Sequence, residues 1–180
     1  MLIIADGEDV RDLVPQDDRI RLVHFDGQLE IGDKRNRGAE LARGDVIAHW
    51  DDDDFSAHGR LADQLQRLRE SGKAVTGYRS MRFTDGDRWW LYVGSPDYIV
   101  GTSLCYRKDW WMNNRFQSVQ LGEDNDFGGR ARGAGQVISV DAGDLMYATI
   151  HASNTSPRDL SSKNWLAIGA PDMRAFGVAA

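Results

Sequence analysis

The chain has 180 residues, of which 41% are hydrophobic and 28% charged, the profile of an ordinary globular domain with a sizeable core. A net charge of −6 argues against a protein that binds nucleic acid over its whole surface, and the single cysteine, Cys105, excludes an internal disulfide framework and a cysteine-rich zinc site. No segment approaches the ~20 apolar residues of a membrane span. Met1 to Ala5 lacks the basic start and long apolar core of a secretion signal, so a cytoplasmic protein is expected.

In chain order, Leu2 to Ala5 and Ile20 to Phe25 predict two strands. Gly32 to Arg43 predicts a helix with Gly44 as its C-cap. Asp45 to Trp50 predicts a third strand, and a helix from about Ala57 to Ser71 stops at Gly72. Lys73 to Tyr78 predicts another strand. Arg79 to Phe83 and Trp89 to Val93 alternate around Thr84-Asp85-Gly86-Asp87, the pattern of a hairpin. A strand is expected at Thr102 to Tyr106, a short helix at Glu123 to Arg132, and closing strands at Gln136 to Val140 and Leu145 to Ile150. Beyond His151 the chain turns polar and reads as a loose tail. Strand–helix alternation followed by antiparallel pieces predicts an α/β fold with an antiparallel extension.

Chemistry concentrates at two acidic runs. His49-Trp50-Asp51-Asp52-Asp53-Asp54 follows a buried strand and precedes a helix, where open α/β sheets place their ligands. Adjacent carboxylates repel, and a divalent cation among them removes the repulsion. If the strand continues, Asp51 and Asp53 share a face, and Asp52 and Asp54 point elsewhere. The second run, Gly122-Glu123-Asp124, sits at a helix start and offers a general base. His151, at a strand end, is a candidate third metal ligand. Lys34-Arg35-Asn36 begins a helix and is placed to contact a diphosphate, with help from the helix N-terminus. There is no P-loop, no dinucleotide fingerprint, no Gly-x-Ser-x-Gly elbow and no zinc deaminase signature.

These motifs together resemble the family 2 glycosyltransferases of the GT-A fold. The resemblance rests on Lys34-Arg35-Asn36, on Ala42 to Asp54 with Arg60-Leu61 and Gln64, on Gly101 to Arg107, on Phe116 and Gly122-Glu123-Asp124, and on Tyr147 to His151 with Asn154-Thr155. It covers about residues 2 to 156 and implies a GT-A-like, Rossmann-like mixed sheet flanked by helices, with an antiparallel acceptor-side extension. The expected organisation is one domain over 1–180: a nucleotide-sugar half to about 78, an acceptor half to about 156, and a tail. The resemblance implies an inverting hexosyltransferase with a UDP-sugar donor and Mn²⁺ or Mg²⁺. Asp6 would bind the nucleoside together with Lys34, Arg35 and Asn36. Asp51 and Asp52 would contact the donor, Asp51, Asp53 and His151 would hold the metal, and Asp124 would be the base, with Glu123 as the alternative. The family's usual first strand and helix, with a Pro-x-Tyr-Asn type motif, have no counterpart here. That leaves an edge open to pairing with a second copy of the chain.

The acceptor is expected to be a saccharide or a hydroxymethylated base in DNA, as in phage-type enzymes that modify 5-hydroxymethylcytosine. The DNA reading rests on the basic and aromatic stretch from Arg79 to Arg115, with Trp89, Trp90, Arg107, Trp110 and Trp111 as acceptor-binding residues. The other reading of those tryptophans is sugar platforms or core. Two further classes use the same acids: a metal-dependent phosphohydrolase or nuclease, and a non-catalytic nucleotide-sugar or glycan-binding module.

Overall fold

The structure, a computed structural model, describes residues 1–156 and 158–177. Its elements run β1 (Leu2–Asp6), β2 (Arg21–Phe25), α1 (Ile31–Leu41), β3 (Val46–Ala48), β4 (Phe55–Ser56), α2 (Arg60–Ser71), β5 (Val75–Thr84), β6 (Trp89–Val93), β7 (Cys105–Arg107), α3 (Lys108–Asn113), α4 (Glu123–Gly133), β8 (Val137–Asp141), β9 (Met146–Thr149) and β10 (Trp165–Ile168). β1 and β2 form a parallel pair of their own, and the other strands form one mixed sheet.

That sheet is organised by β5. β7 and β6 run antiparallel along one side of it, and β8 and β9 run parallel along the other. β3 extends the sheet from β7, β10 extends it from β6, and β4 pairs with β9. Most of β5, Val75-Thr76-Gly77-Tyr78 included, is buried without alternation, because neighbours cover both of its faces. One core gathers Val75, Leu104, Tyr106, Phe116 and Phe127 near α4, with Phe116 and Phe127 stacked at 4.3 Å. A second gathers Tyr78, Met81, Phe83, Val100 and Met146 at the other end of β5.

The predicted α/β architecture and hairpin are present, with Thr84 opposite Trp89. Gly72 caps α2 with φ 65°, donating to Leu68 O. Three expectations change. α1 ends at Leu41, and Gly44 does not cap it. Arg21 and Lys108 donate instead to the carbonyls of Leu41 and Ala42, where cations suit the helix end. The strand expected at Thr102 to Tyr106 is shortened to Cys105–Arg107. Gly101–Ser103 form a 3₁₀ turn because Ser103 Oγ bonds Val100 O and Gln64 takes the Ser103 carbonyl, diverting this segment from the ladder. The tail is not loose throughout: Trp165 pairs opposite Tyr92 to make β10, and Phe176 is buried. Its residues 157 and 178–180 lie outside the described residues.

α1 is held to the segment from Trp111 to Phe116 by Asn36. Its Oδ1 accepts from Phe116 N and Trp111 Nε1, both at 3.0 Å, and its Nδ2 donates to Phe116 O at 2.9 Å. Asn36→Ala leaves three partly buried groups without partners and should cost about 2–4 kcal/mol of stability. Chemical denaturation measures this directly, and a loss below ~0.5 kcal/mol would contradict the role assigned to the amide.

Candidate active site

β3 delivers His49 and the four aspartates to the end of the sheet. His49 is half-buried, with Nε2 3.2 Å from the Tyr106 hydroxyl. Burial, with the Arg35 and Arg60 charges nearby, holds His49 well below its ordinary range, so its ring is neutral. Arg60 opens α2 and is fully buried. It donates to Ser56 Oγ at 2.7 Å, His49 O at 2.8 Å and Thr102 O at 3.1 Å, and lies 4.8 Å from the Trp50 ring. A buried guanidinium is tolerated only when such acceptors replace its water. Arg60 thereby joins the end of β3, the start of β4 and the Gly101–Ser103 turn.

Asp51, Asp53 and Asp54 each bring a carboxylate oxygen within 4.8 Å of the others. This corrects two expectations. The strand does not continue past Asp51; the chain turns at Asp52 and Asp53, so strand alternation no longer applies. Asp52 is exposed and outside the cluster, while Asp54 enters it. Asp54 accepts from Thr102 Oγ1 at 2.5 Å and from Thr149 N at 2.9 Å. Burial pushes its carboxyl up to about 6, against the pull of those hydrogen bonds. Burial also raises Asp51, with Arg35 opposing.

His151 meets the cluster through Asp53, its Nε2 2.8 Å from Asp53 Oδ2. Asn154 fixes this histidine: its Oδ1 accepts from His151 N at 2.8 Å, and its Nδ2 lies 3.1 Å from Nε2. Ligand atoms on neighbouring vertices of an octahedron with ~2.1 Å bonds stand ~3 Å apart, so the Asp53–His151 spacing suits Mg²⁺ or Mn²⁺. The raised Asp51 and Asp54 carboxyls mark negative charge with too little compensation, which a hard cation would supply. The residues fit a divalent cation.

The second acidic run faces the same turn. Glu123 is buried and pairs with Arg35 at 3.1 Å, which makes it a partner of that cation. Burial raises Glu123, with Arg35 opposing. Asp124 is half-buried, and a Cβ built on Gly101 would lie 1.7 Å from Asp124 Oδ2. Only glycine at 101 leaves room for that carboxylate. Gly101 therefore seats Asp124, while the next residue, Thr102, holds Asp54.

On the nucleotide side, Asp6 accepts from Leu29 N at 2.7 Å and meets Lys34 Nζ at 2.5 Å. Burial works to raise Asp6, but these two partners hold it below its ordinary value. Arg35 Nη1 has no hydrogen-bond partner among the described residues, since its contact with Glu123 lacks hydrogen-bond geometry. Asn36 is withdrawn from donor binding because its amide is spent on Phe116 and Trp111. The start of α1 is closed as well: Ile31 N and Gly32 N donate to Gln120 Oε1 and Val119 O. Among the acceptor candidates, Trp89, Trp90 and Trp111 are 9%, 8% and 2% exposed, so they are core rings and not platforms. Trp110 packs partly buried against the first core, and Arg107 is exposed and paired with Asp109.

The model of the family described as Glycosyl transferase family 2 matches residues 5–130. The chain belongs to glycosyl transferase family 2. Glycosyltransferase AglD of Haloferax volcanii is 38% identical to the chain over 78 residues, 42% of this chain and 12% of AglD. The S. aureus TarS 1–349 structure in complex with UDP is similar with a TM-score of 0.66 and 17% identity, over 83% of this chain and 50% of that one. The complex of TarS 1–349 with UDP-GlcNAc gives a TM-score of 0.61 at 17% identity, over 76% and 44%. The family 2 chain thus spans half or less of the length of these relatives. It shares their mixed sheet flanked by helices.

Family membership and the acid cluster give Asp54 a testable signature in metal-free buffer. Its carboxyl rises from 3.8 to about 6 on folding. The unfolded chain releases this proton first, so the group's stabilising contribution is full at low pH and is lost as pH rises through about 6. Thermal midpoints of the wild type relative to Asp54→Asn should fall between about pH 4 and 6.5. Parallel profiles for the two proteins would contradict the assignment.

Proposed function

We propose that the chain carries an inverting, metal-dependent glycosyl transfer from a UDP-sugar to a hydroxyl of a saccharide. One observation supports this reading above the rest: Asp54 and Asp124 meet adjacent residues, Thr102 and Gly101, so the metal-type carboxylates and a second carboxylate border one small space. TarS has been solved with UDP and with UDP-GlcNAc, which favours a UDP-sugar donor here.

Asp51, Asp53, Asp54 and His151 would hold Mg²⁺ or Mn²⁺, which neutralises the diphosphate of the donor when bound. Arg35, beside Glu123, would add a contact to a phosphate oxygen, and Asp6 with Lys34 would border the nucleoside. Asp124 orients the acceptor hydroxyl and takes its proton as the hydroxyl oxygen bonds to the anomeric carbon. The bond from that carbon to the diphosphate breaks on the opposite face, releasing UDP and inverting the configuration. Glu123 is committed to Arg35, which leaves Asp124 for the proton.

A saccharide is preferred over a hydroxymethylated DNA base because the basic stretch is neutralised internally. Arg79 pairs with Asp141, Arg82 with Asp144, Arg88 with Asp85, Arg107 with Asp109 and Arg115 with Glu40. Cations already paired release few counterions from a nucleic acid.

Label transfer from UDP-sugars with Mn²⁺ or Mg²⁺ tests the reading. Asp124→Asn should keep UDP binding and lose transfer by about 10²–10⁴-fold. Asp53→Ala should lose the metal-dependent part of UDP binding. Normal transfer by the Asp124→Asn protein would overturn the assignment of the base.

A further inference from the structure

A cleft of about 180 Å³ lies beside this site, walled by Phe83, Tyr92, Tyr98, Val100 and Trp165, with Arg158 at its mouth. Phe83, Tyr92, Tyr98 and Val100 lie within the family match, which ends at residue 130, and Arg158 and Trp165 come from the chain beyond it. Its aromatic lining is continuous: Tyr92 lies 5.0 Å from Trp165 and 5.8 Å from Tyr98, and Phe83 lies 4.8 Å from Trp165. Tyr98 and Trp165 are only partly buried, so each keeps surface for a ligand. Such rings offer the apolar faces on which the C–H side of a sugar stacks. The volume falls below the ~300–1,000 Å³ of drug-sized pockets and suits one sugar ring.

The cleft adjoins the reacting space. Val100 in its wall precedes Gly101, which seats Asp124. Burial raises the Tyr98 hydroxyl, with contributions from Tyr92 and from the nearby Asp124 charge, while the Arg158 charge acts the other way. Asp124 and Arg158 therefore both lie near the same tyrosine.

Two opposite charges line the cleft, Arg158 and Asp159. Arg158 sits 5.6 Å from the Phe83 ring centroid, exposed, and no carboxylate pairs with it among the described residues. Arg79, Arg82, Arg88, Arg107 and Arg115, by contrast, are all paired. Asp159 lines the cleft with one oxygen engaged: its Oδ1 accepts from Ser161 N at 3.0 Å and from Ser161 Oγ at 2.6 Å.

We propose that this cleft is an acceptor subsite for an anionic saccharide, with a sugar ring against Tyr98 and Trp165 and an acidic substituent at Arg158. The proposal rests on the transferase reading, since it makes Asp124 the group that meets the acceptor hydroxyl. The shared ligand chemistry is a pyranose bearing one carboxylate or phosphate.

The experiment titrates three probes into the full chain saturated with UDP and Mn²⁺: methyl glucoside, methyl glucuronide and methyl glucoside 6-phosphate. Trp165 fluorescence and amide shifts report binding without turnover. Either anionic probe, or both, should bind about tenfold tighter than methyl glucoside, and the one that does identifies carboxylate or phosphate as the group. Arg158→Ala, at an exposed side chain, should remove the preference. Equal binding of neutral and anionic probes, an unchanged preference in Arg158→Ala, or binding of hydroxymethylcytosine DNA in place of all three probes would overturn the subsite. Failure of the transferase reading is separate, because it appears as absent UDP binding before any probe is added.

Discussion

A single buried cation, Arg60, holds the site in register. Its guanidinium joins the carbonyl of His49 at the end of β3, the hydroxyl of Ser56 and the carbonyl of Thr102. His49 and Ser56 flank the aspartate turn, and Thr102 comes from a distant part of the chain. Without a cation to collect their oxygens, the aspartate turn and the Gly101–Ser103 turn would have no common anchor beneath them. Gln64, one turn further along α2, repeats the tie by donating to Ser103 O at 2.7 Å. Above this anchor, Thr102 fixes Asp54 and Gly101 admits Asp124.

The electrostatics follow from that arrangement. Cations lie close to the carboxylates, yet each is engaged: Arg60 with backbone oxygens, Arg35 with Glu123, Lys34 with Asp6. Asp51 and Asp54 are consequently desolvated without a full counter-charge, and both shift upward. Raised carboxyls in a cleft are the usual mark of a functional cluster, and here they coincide with spacing that suits a divalent ion. On the surface, Arg79, Arg82, Arg88, Arg107 and Arg115 pair with neighbouring acids.

Much of this was legible in the sequence. The alternation of strand and helix patterns, the Thr84–Asp87 hairpin and the two acidic runs are local signals, and local signals survive folding. Asp53 and His151, which the family resemblance implies as metal ligands, stand 2.8 Å apart. Other parts were not legible because they depend on tertiary context. The turn at Asp52 and Asp53 reverses which aspartates face inward, and no residue pattern announces it. Asn36 resembles a ligand-binding amide until Phe116 and Trp111 arrive from a distant segment. The tryptophans of β6 and α3 sit among arginines in sequence but face the core in space. Arg60 was visible only as a member of a recurring string, and its role emerges from burial. Trp165 lay within an expected loose tail, yet it pairs with β6 and walls a cleft.

Substitution of Gly101 by alanine tests the central claim, that one short turn places the metal-type carboxylates and the base around a common space. The added methyl must displace the Asp124 carboxylate, while Thr102, Asp54 and the rest of the acid cluster stay in place. Measured together, UDP affinity with Mn²⁺ should remain within about twofold of wild type, and kcat for sugar transfer should fall at least ~10²-fold. Transfer at the wild-type rate, or a parallel collapse of UDP binding, would contradict the account.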